Sequence, residues 1–162
     1  MGPGFVVTMP HKRAVMSYLD EIGSKAKAIG TVNTLVRMKD GRYKGYVTNG
    51  DGFEQNLLSQ GASLQDSHVF LFGTGGGRNI ALLLLEAGVK DLSVCNIDKQ
   101  EALEMIEMIR SFNGYVSAYV PFEKLAVAKV GNTAQIIIST TCLEMKGKRS
   151  VHVDLLDWDA ID

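Results

Sequence analysis

Gly73-Thr74-Gly75-Gly76-Gly77 is the stretch of this chain whose chemistry can be argued most directly from residue type. Residues without a Cβ let the backbone come close to a pyrophosphate, and a helix starting at such a turn offers unpaired N–H groups to the same anion. Gly73, Gly75, Gly76 and Gly77 are therefore candidate dinucleotide-binding residues. A glycine-rich turn between a strand and a helix also serves tight packing, so context has to decide. The second candidate is Asn96-Ile97-Asp98-Lys99. An acidic residue after the second strand of such a unit accepts hydrogen bonds from an adenosine ribose 2′-hydroxyl, whereas an arginine there neutralises a 2′-phosphate. Asn96 and Asp98 are the candidate contacts, and NAD is the expected cofactor, with Lys99 leaving NADP open. Asp98 is equally suited to capping a helix that begins near Lys99.

For these residues to act together, strands and helices must alternate. His68 to Phe72 is a nearly continuous apolar run, and Arg78 to Ala87 is a helical run closed by Gly88. Arg78 stands where a small residue would let that helix pack closely on its strand. Leu92 to Asn96 reads as the next buried strand, and Leu103, Ile106, Met108 and Ile109 give 101–112 a helical period. Tyr115 to Val120 and Gln135 to Ser139 supply two further strands. The alternation predicts an α/β fold with a Rossmann-like parallel sheet.

The first third reads differently. Phe5 to Met9 is a short strand, and Val15, Tyr18, Leu19 and Ile22 match a helix over Lys12 to Ile22. Thr31 to Met38 and Tyr43 to Thr48 alternate around Lys39-Asp40-Gly41-Arg42, a hairpin signal. Phe53 to Leu58 carries helix-compatible residues and stops before Gly61, where the junction between two domains, 1–60 and 61–162, is expected.

Thr8-Met9-Pro10-His11-Lys12, Ala28-Ile29-Gly30-Thr31-Val32-Asn33-Thr34 and Gly45-Tyr46-Val47-Thr48-Asn49-Gly50-Asp51-Gly52-Phe53, leading into the Gly73 turn, form one ordered set. Together they resemble the shikimate/quinate dehydrogenase family. The resemblance implies that 1–60 is part of an α/β substrate-binding domain and that 61–162 is an NAD(P)-binding Rossmann-like domain. Family members are longer, and the resemblance implies truncation at both ends, with the second domain lacking its C-terminal elements.

What the resemblance implies chemically is reversible hydride transfer between a nicotinamide and the carbinol carbon of shikimate or quinate. Lys12 matches the catalytic lysine, which moves the hydroxyl proton, and a partly desolvated lysine suits that task. Thr8 and Asn33 match positions that hold substrate hydroxyls. Asn49 stands where the family has its catalytic aspartate, and Val47 where it has an asparagine. An amide is nearly isosteric with a carboxylate but uncharged, so geometry is kept while electrostatics is lost. Asp51, two residues on, is a weak substitute because Gly50 and Gly52 suggest an intervening turn. Thr141 and Met145 fall in the segment that lies beside the nicotinamide, with Glu144 replacing a family glycine. A non-catalytic relative that binds a nucleotide or a protein partner is the competing class.

Composition narrows the remaining choices. With 46% hydrophobic residues, 22% charged residues and a net charge of -1, nothing argues for nucleic acid. The apolar run Ile80 to Leu85 is too short for a membrane span, and a cytoplasmic location is the default. His11, His68 and His152 lack ligand spacing, so no metal is expected. Cys95 and Cys142 read as small buried hydrophobes. The expected partner is a small-molecule substrate, with self-association through exposed sheet edges left open.

Overall fold

The computed structural model describes residues 3–8, 10–113, 117–141 and 153–156. The chain separates into two compact units, Met1–Ser59 and Gln60–Asp162. The second is organised by apolar runs, and the first by turns and short pairings.

In the first unit, β1 (Gly4–Val6), β2 (Glu21–Ile22), β3 (Thr34–Arg37) and β4 (Tyr43–Tyr46) form a sheet of order β1-β3-β4-β2. β3 and β4 make the antiparallel hairpin that the alternation predicts, with Gly41 at φ 88° in its turn. A left-handed conformation of this kind costs glycine nothing, because it has no Cβ to clash with the backbone.

The helix expected over Lys12 to Ile22 is not what forms. A 3-10 turn covers Ala14–Tyr18, with none of its residues buried, and the chain then extends into β2. Asp20 N–H donates to the Tyr43 carbonyl at 3.2 Å, and Tyr43 N–H donates to Asp20 Oδ2 at 2.8 Å. These bonds draw the chain alongside β4, where Glu21 and Ile22 pair in parallel. Strand pairing thus overrides a period that looked helical but has no core to face.

Two helices complete the unit: α1 (Ser24–Ile29), closed by Gly30 at φ 74°, and α2 (Asn49–Ser59). The expectation placed the second helix at Phe53 to Leu58, but it begins four residues earlier, across Gly50 and Gly52. Asn49 therefore opens a helix rather than ending an extended segment. Positions 49 and 51, two apart on a helical backbone, do not share a face.

The second unit alternates strictly: β5 (His68–Phe72), α3 (Gly77–Glu86), β6 (Asp91–Cys95), α4 (Lys99–Asn113), β7 (Ser117–Val120), α5 (Lys124–Gly131) and β8 (Ile136–Ser139). The sheet is wholly parallel, in the order β7-β6-β5-β8. Central strands of a parallel sheet are covered on both faces, which explains the unbroken apolar run of β5 and the mostly apolar run of β6, where the buried Ser93 meets His68 Nε2 at 3.1 Å; each strand is buried at its last four positions. Phe70, Phe72, Cys95, Val120, Val127 and Leu156 form a core cluster. The strand order reverses between β5 and β8. An open α/β sheet places its ligand crevice beyond the carboxyl ends of the strands at such a reversal.

Among the described residues, no helix is long and apolar enough to cross a membrane, and no group of His, Cys, Asp or Glu is placed to hold a metal ion.

Candidate functional site

Each unit carries its own cluster of candidate residues. In the second, a pocket opens at the strand reversal, with an empty volume of about 620 Å³. It is lined by the end of β5 and its turn (Phe72 to Gly75), the end of β6 (Cys95 to Ile97), Thr140 and Thr141 after β8, Phe122 and Glu101. Gly73, Gly75, Asn96 and Thr141 among the candidates are thus brought to one cavity.

The glycines of the turn do different things. Gly73 sits at φ 88°, and a Cβ there would lie 2.9 Å from Thr140 Oγ1. Gly75 faces open space, with nothing within 4 Å of where a Cβ would be. Gly77 is buried, and its missing Cβ would meet Thr140 Oγ1 at 3.3 Å and Leu71 Cδ2 at 3.4 Å. Gly77 therefore takes the close-packing place that residue type had suggested for position 78. Arg78 points away instead, with Nη2 3.5 Å from Glu104 Oε2. Gly76 and Gly77 do not line the pocket, although they open α3, whose N-terminus is not closed by any side-chain cap.

Thr140 holds the turn in shape. Its N–H donates to the Phe72 carbonyl at 2.8 Å, and its hydroxyl lies 3.0 Å from the carbonyls of both Phe72 and Gly73. These residues fit a dinucleotide: one glycine permits the turn, a second leaves its backbone open to approach, and an uncapped helix start lies beside them.

Asp98 takes the capping role. Its Oδ1 accepts from the N–H groups of Gln100 at 2.8 Å and Glu101 at 3.2 Å, and the side chain does not line the pocket. The residue that does is Glu101, which sequence reasoning treated only as a helix position. Met145 and Glu144 lie outside the described residues, as does Cys142. Burial pushes the Cys95 thiol up to about 12, so this pocket-lining residue stays a thiol and acts as a small apolar wall.

In the first unit, Asn33 ties the segments that carry the other candidates. It is 3% exposed. Its Oδ1 accepts from Thr48 N–H at 2.8 Å, which fixes the amide orientation because a backbone N–H can only donate. Nδ2 then faces Thr48 Oγ1 at 3.3 Å and donates to Asn49 Oδ1. The Asn33 backbone accepts from Val7 N–H and donates to the Tyr46 carbonyl, while Val32 N–H donates to the Lys12 carbonyl. Thr8 follows Val7 directly, so Thr8, Lys12 and Asn49 all sit on chain segments hydrogen-bonded to Val32-Asn33. Thr8 and Asn49 are exposed and Lys12 is half-buried.

Both donors of the Asn33 amide are spent inside the unit, so its principal contribution is to position Thr48 and Asn49. Replacing it leaves the Thr48 N–H without its acceptor. Asn33→Ala is expected to lower stability by about 0.5–1.5 kcal/mol in urea denaturation, the usual net worth of such a hydrogen bond.

Comparison with known proteins agrees with this arrangement. Residues 2–35 match the family model described as the shikimate dehydrogenase substrate binding domain. A Bacillus cereus protein named shikimate dehydrogenase (NADP(+)) is 44% identical over 144 residues, covering 88% of this chain and 50% of that protein. The chain is homologous to the shikimate dehydrogenases. Its fold extends the likeness: shikimate 5-dehydrogenase from Listeria monocytogenes, solved with shikimate and NAD, superposes with a TM-score of 0.82 at 26% identity, covering 95% of this chain and 56% of that one. Quinate dehydrogenase from Corynebacterium glutamicum, solved with NAD, gives 0.80 at 27% identity, covering 95% and 55%. This homologue thus spans about half the length of the relatives it matches.

Proposed function

We propose that the chain carries the working parts of an NAD(P)-dependent oxidoreductase that interconverts shikimate or quinate and the corresponding 3-dehydro acid. Residues 1–60 supply the substrate side and 61–162 the dinucleotide side. The observation that carries this reading is the glycine turn at the strand reversal of a parallel sheet, on the same chain as an Asn33-tied group presenting Thr8, Lys12 and Asn49.

A dinucleotide held by Gly73, Gly75, Asn96 and Thr141 would supply a nicotinamide as hydride acceptor for the carbinol carbon of the substrate. In that direction Lys12 takes the hydroxyl proton as the C–O bond becomes a carbonyl, and in the reverse direction it returns the proton. The Thr8 hydroxyl can both donate and accept toward substrate hydroxyls. Asn49 orients the reacting hydroxyl by hydrogen bonding alone, Asn33 holds Asn49 in place, and Thr141 lines the cofactor side.

Reduced-nicotinamide absorbance followed with shikimate and with quinate tests the reading. Slow turnover that needs both a dinucleotide and one of these acids, and that disappears in Lys12→Ala, is the expected result. Binding of the dinucleotide with no turnover at any protein concentration, even with Asn49→Asp, would leave a nucleotide-binding relative without enzymatic activity.

A further inference from the structure

The dinucleotide pocket has a charge pattern that dinucleotide binding as such does not require. Glu101 lines it, and the carboxylate Oε2 accepts from Thr74 Oγ1 at 2.7 Å and from Asn96 Nδ2 at 3.1 Å. Thr74 belongs to the turn after β5 and Asn96 to the end of β6. The carboxylate is therefore anchored between the two strand ends that frame the ribose side of a pocket of this type. It is a fixed charge, because both donors would lose their acceptor if it swung away.

Around it, positive charge is directed elsewhere. No lysine or arginine lines the pocket among the described residues. Arg78 is paired with Glu104, and Lys99 Nζ lies 5.7 Å from the centroid of the Tyr119 ring. Ile97, 64% exposed, lines the pocket and offers no charge to it. Asp98, whose Oδ1 caps α4, adds a second carboxylate on the same loop.

We infer that Glu101 is the specificity-determining residue for the cofactor, and that it excludes dinucleotides bearing a 2′-phosphate. The inference rests on the dinucleotide reading of the pocket. A phosphate monoester carries roughly -1.5 to -2 charge at neutral pH, and recognition of it depends on paired cations, above all arginine. Here it would meet an anchored carboxylate and an isoleucine. A free 2′-hydroxyl, by contrast, can donate to a carboxylate. The chain then differs in cofactor choice from the Bacillus cereus relative, whose name specifies NADP(+).

Isothermal titration calorimetry of NAD+ and NADP+ with the whole chain, and with Glu101→Gln and Glu101→Arg, tests the inference without relying on turnover. NAD+ is expected to bind at least about tenfold tighter than NADP+ to the unaltered chain, the scale of one lost charge-assisted contact. Glu101→Gln keeps an acceptor for Thr74 and Asn96 but removes the charge, so the preference for NAD+ should shrink. Glu101→Arg should reverse it. AMP and 2′-AMP, titrated in parallel, should follow the same order. NADP+ binding as tightly as NAD+ to the unaltered chain, or a preference that neither substitution moves, would overturn the assignment while leaving the dinucleotide reading intact. Binding of neither dinucleotide would defeat that reading, and the assignment with it.

Discussion

Asn49→Asp is expected to raise the rate of the proposed shikimate or quinate oxidation by about 10²–10⁴-fold, the usual worth of a positioned acid–base partner in proton transfer. The site is prepared for the change. Asn33 Nδ2 already donates to Asn49 Oδ1, and a carboxylate oxygen accepts the same bond without moving. The second oxygen then replaces an NH₂ group, converting a donor into an acceptor for the substrate hydroxyl and adding a negative charge at that position. Asn49 also opens α2, where a carboxylate gains about 0.3–1 kcal/mol from the helix dipole. The rate gain should therefore come without loss of stability. Val47→Asn is a poorer restoration. Val47 is 8% exposed, and an amide there would be buried in place of an apolar side chain. Steady-state rates on the two variants, with melting temperatures measured alongside, separate these effects. A rate in Asn49→Asp within twofold of the unaltered chain would show that this position does not limit proton transfer.

The second large effect is on the dinucleotide. Gly73→Val should weaken NAD+ binding by at least about 100-fold and lower the melting temperature as well. The backbone there is at φ 88°, where a β-branched residue is strained by about 1–3 kcal/mol. A Cβ would also press on Thr140 Oγ1 at 2.9 Å and Thr141 Cγ2 at 3.1 Å, dislodging the residue that bonds to the Phe72 and Gly73 carbonyls. Gly75→Val is the informative companion. No atom lies within 4 Å of its Cβ position, so the fold tolerates it, but the side chain occupies the space a pyrophosphate needs. Calorimetry and melting curves should show binding lost in both and stability lost only in the first. Undiminished binding in Gly75→Val would remove the pocket from the account.

How much of this could be read from the chain alone depended on the range of the interactions involved. His68–Phe72 announces itself because burial on both faces demands an unbroken apolar run. The β3–β4 hairpin is similarly local, set by Asp40-Gly41. By contrast β2 is only two residues long and exists because Asp20 and Tyr43 bond across the chain, which no periodicity reveals. α1, six residues long, offers too few turns for a pattern, and α5 also went unread. Gly50 and Gly52 hid the start of α2, since glycine is the usual mark of a turn.

The same division runs through the site. Gly73 and Gly75 are legible because their function is the absence of a side chain. Thr140 and Glu101 are not, because what matters is where their side chains reach across strand ends 67 and 27 residues away in sequence. Asn33 was legible as a polar residue in a motif, but its orientation toward Thr48 and Asn49 depends on a backbone N–H that only the fold supplies.

The central claim, two chemically distinct sites on one chain, is tested most directly by amide NMR with NAD+ and shikimate titrated separately. NAD+ is expected to shift Gly73, Thr74, Gly75, Asn96 and Glu101, and shikimate to shift Thr8, Lys12, Asn33 and Thr48, before either is asked to react. Shifts confined to surface residues outside both groups, or the same residues moving with both ligands, would contradict the account.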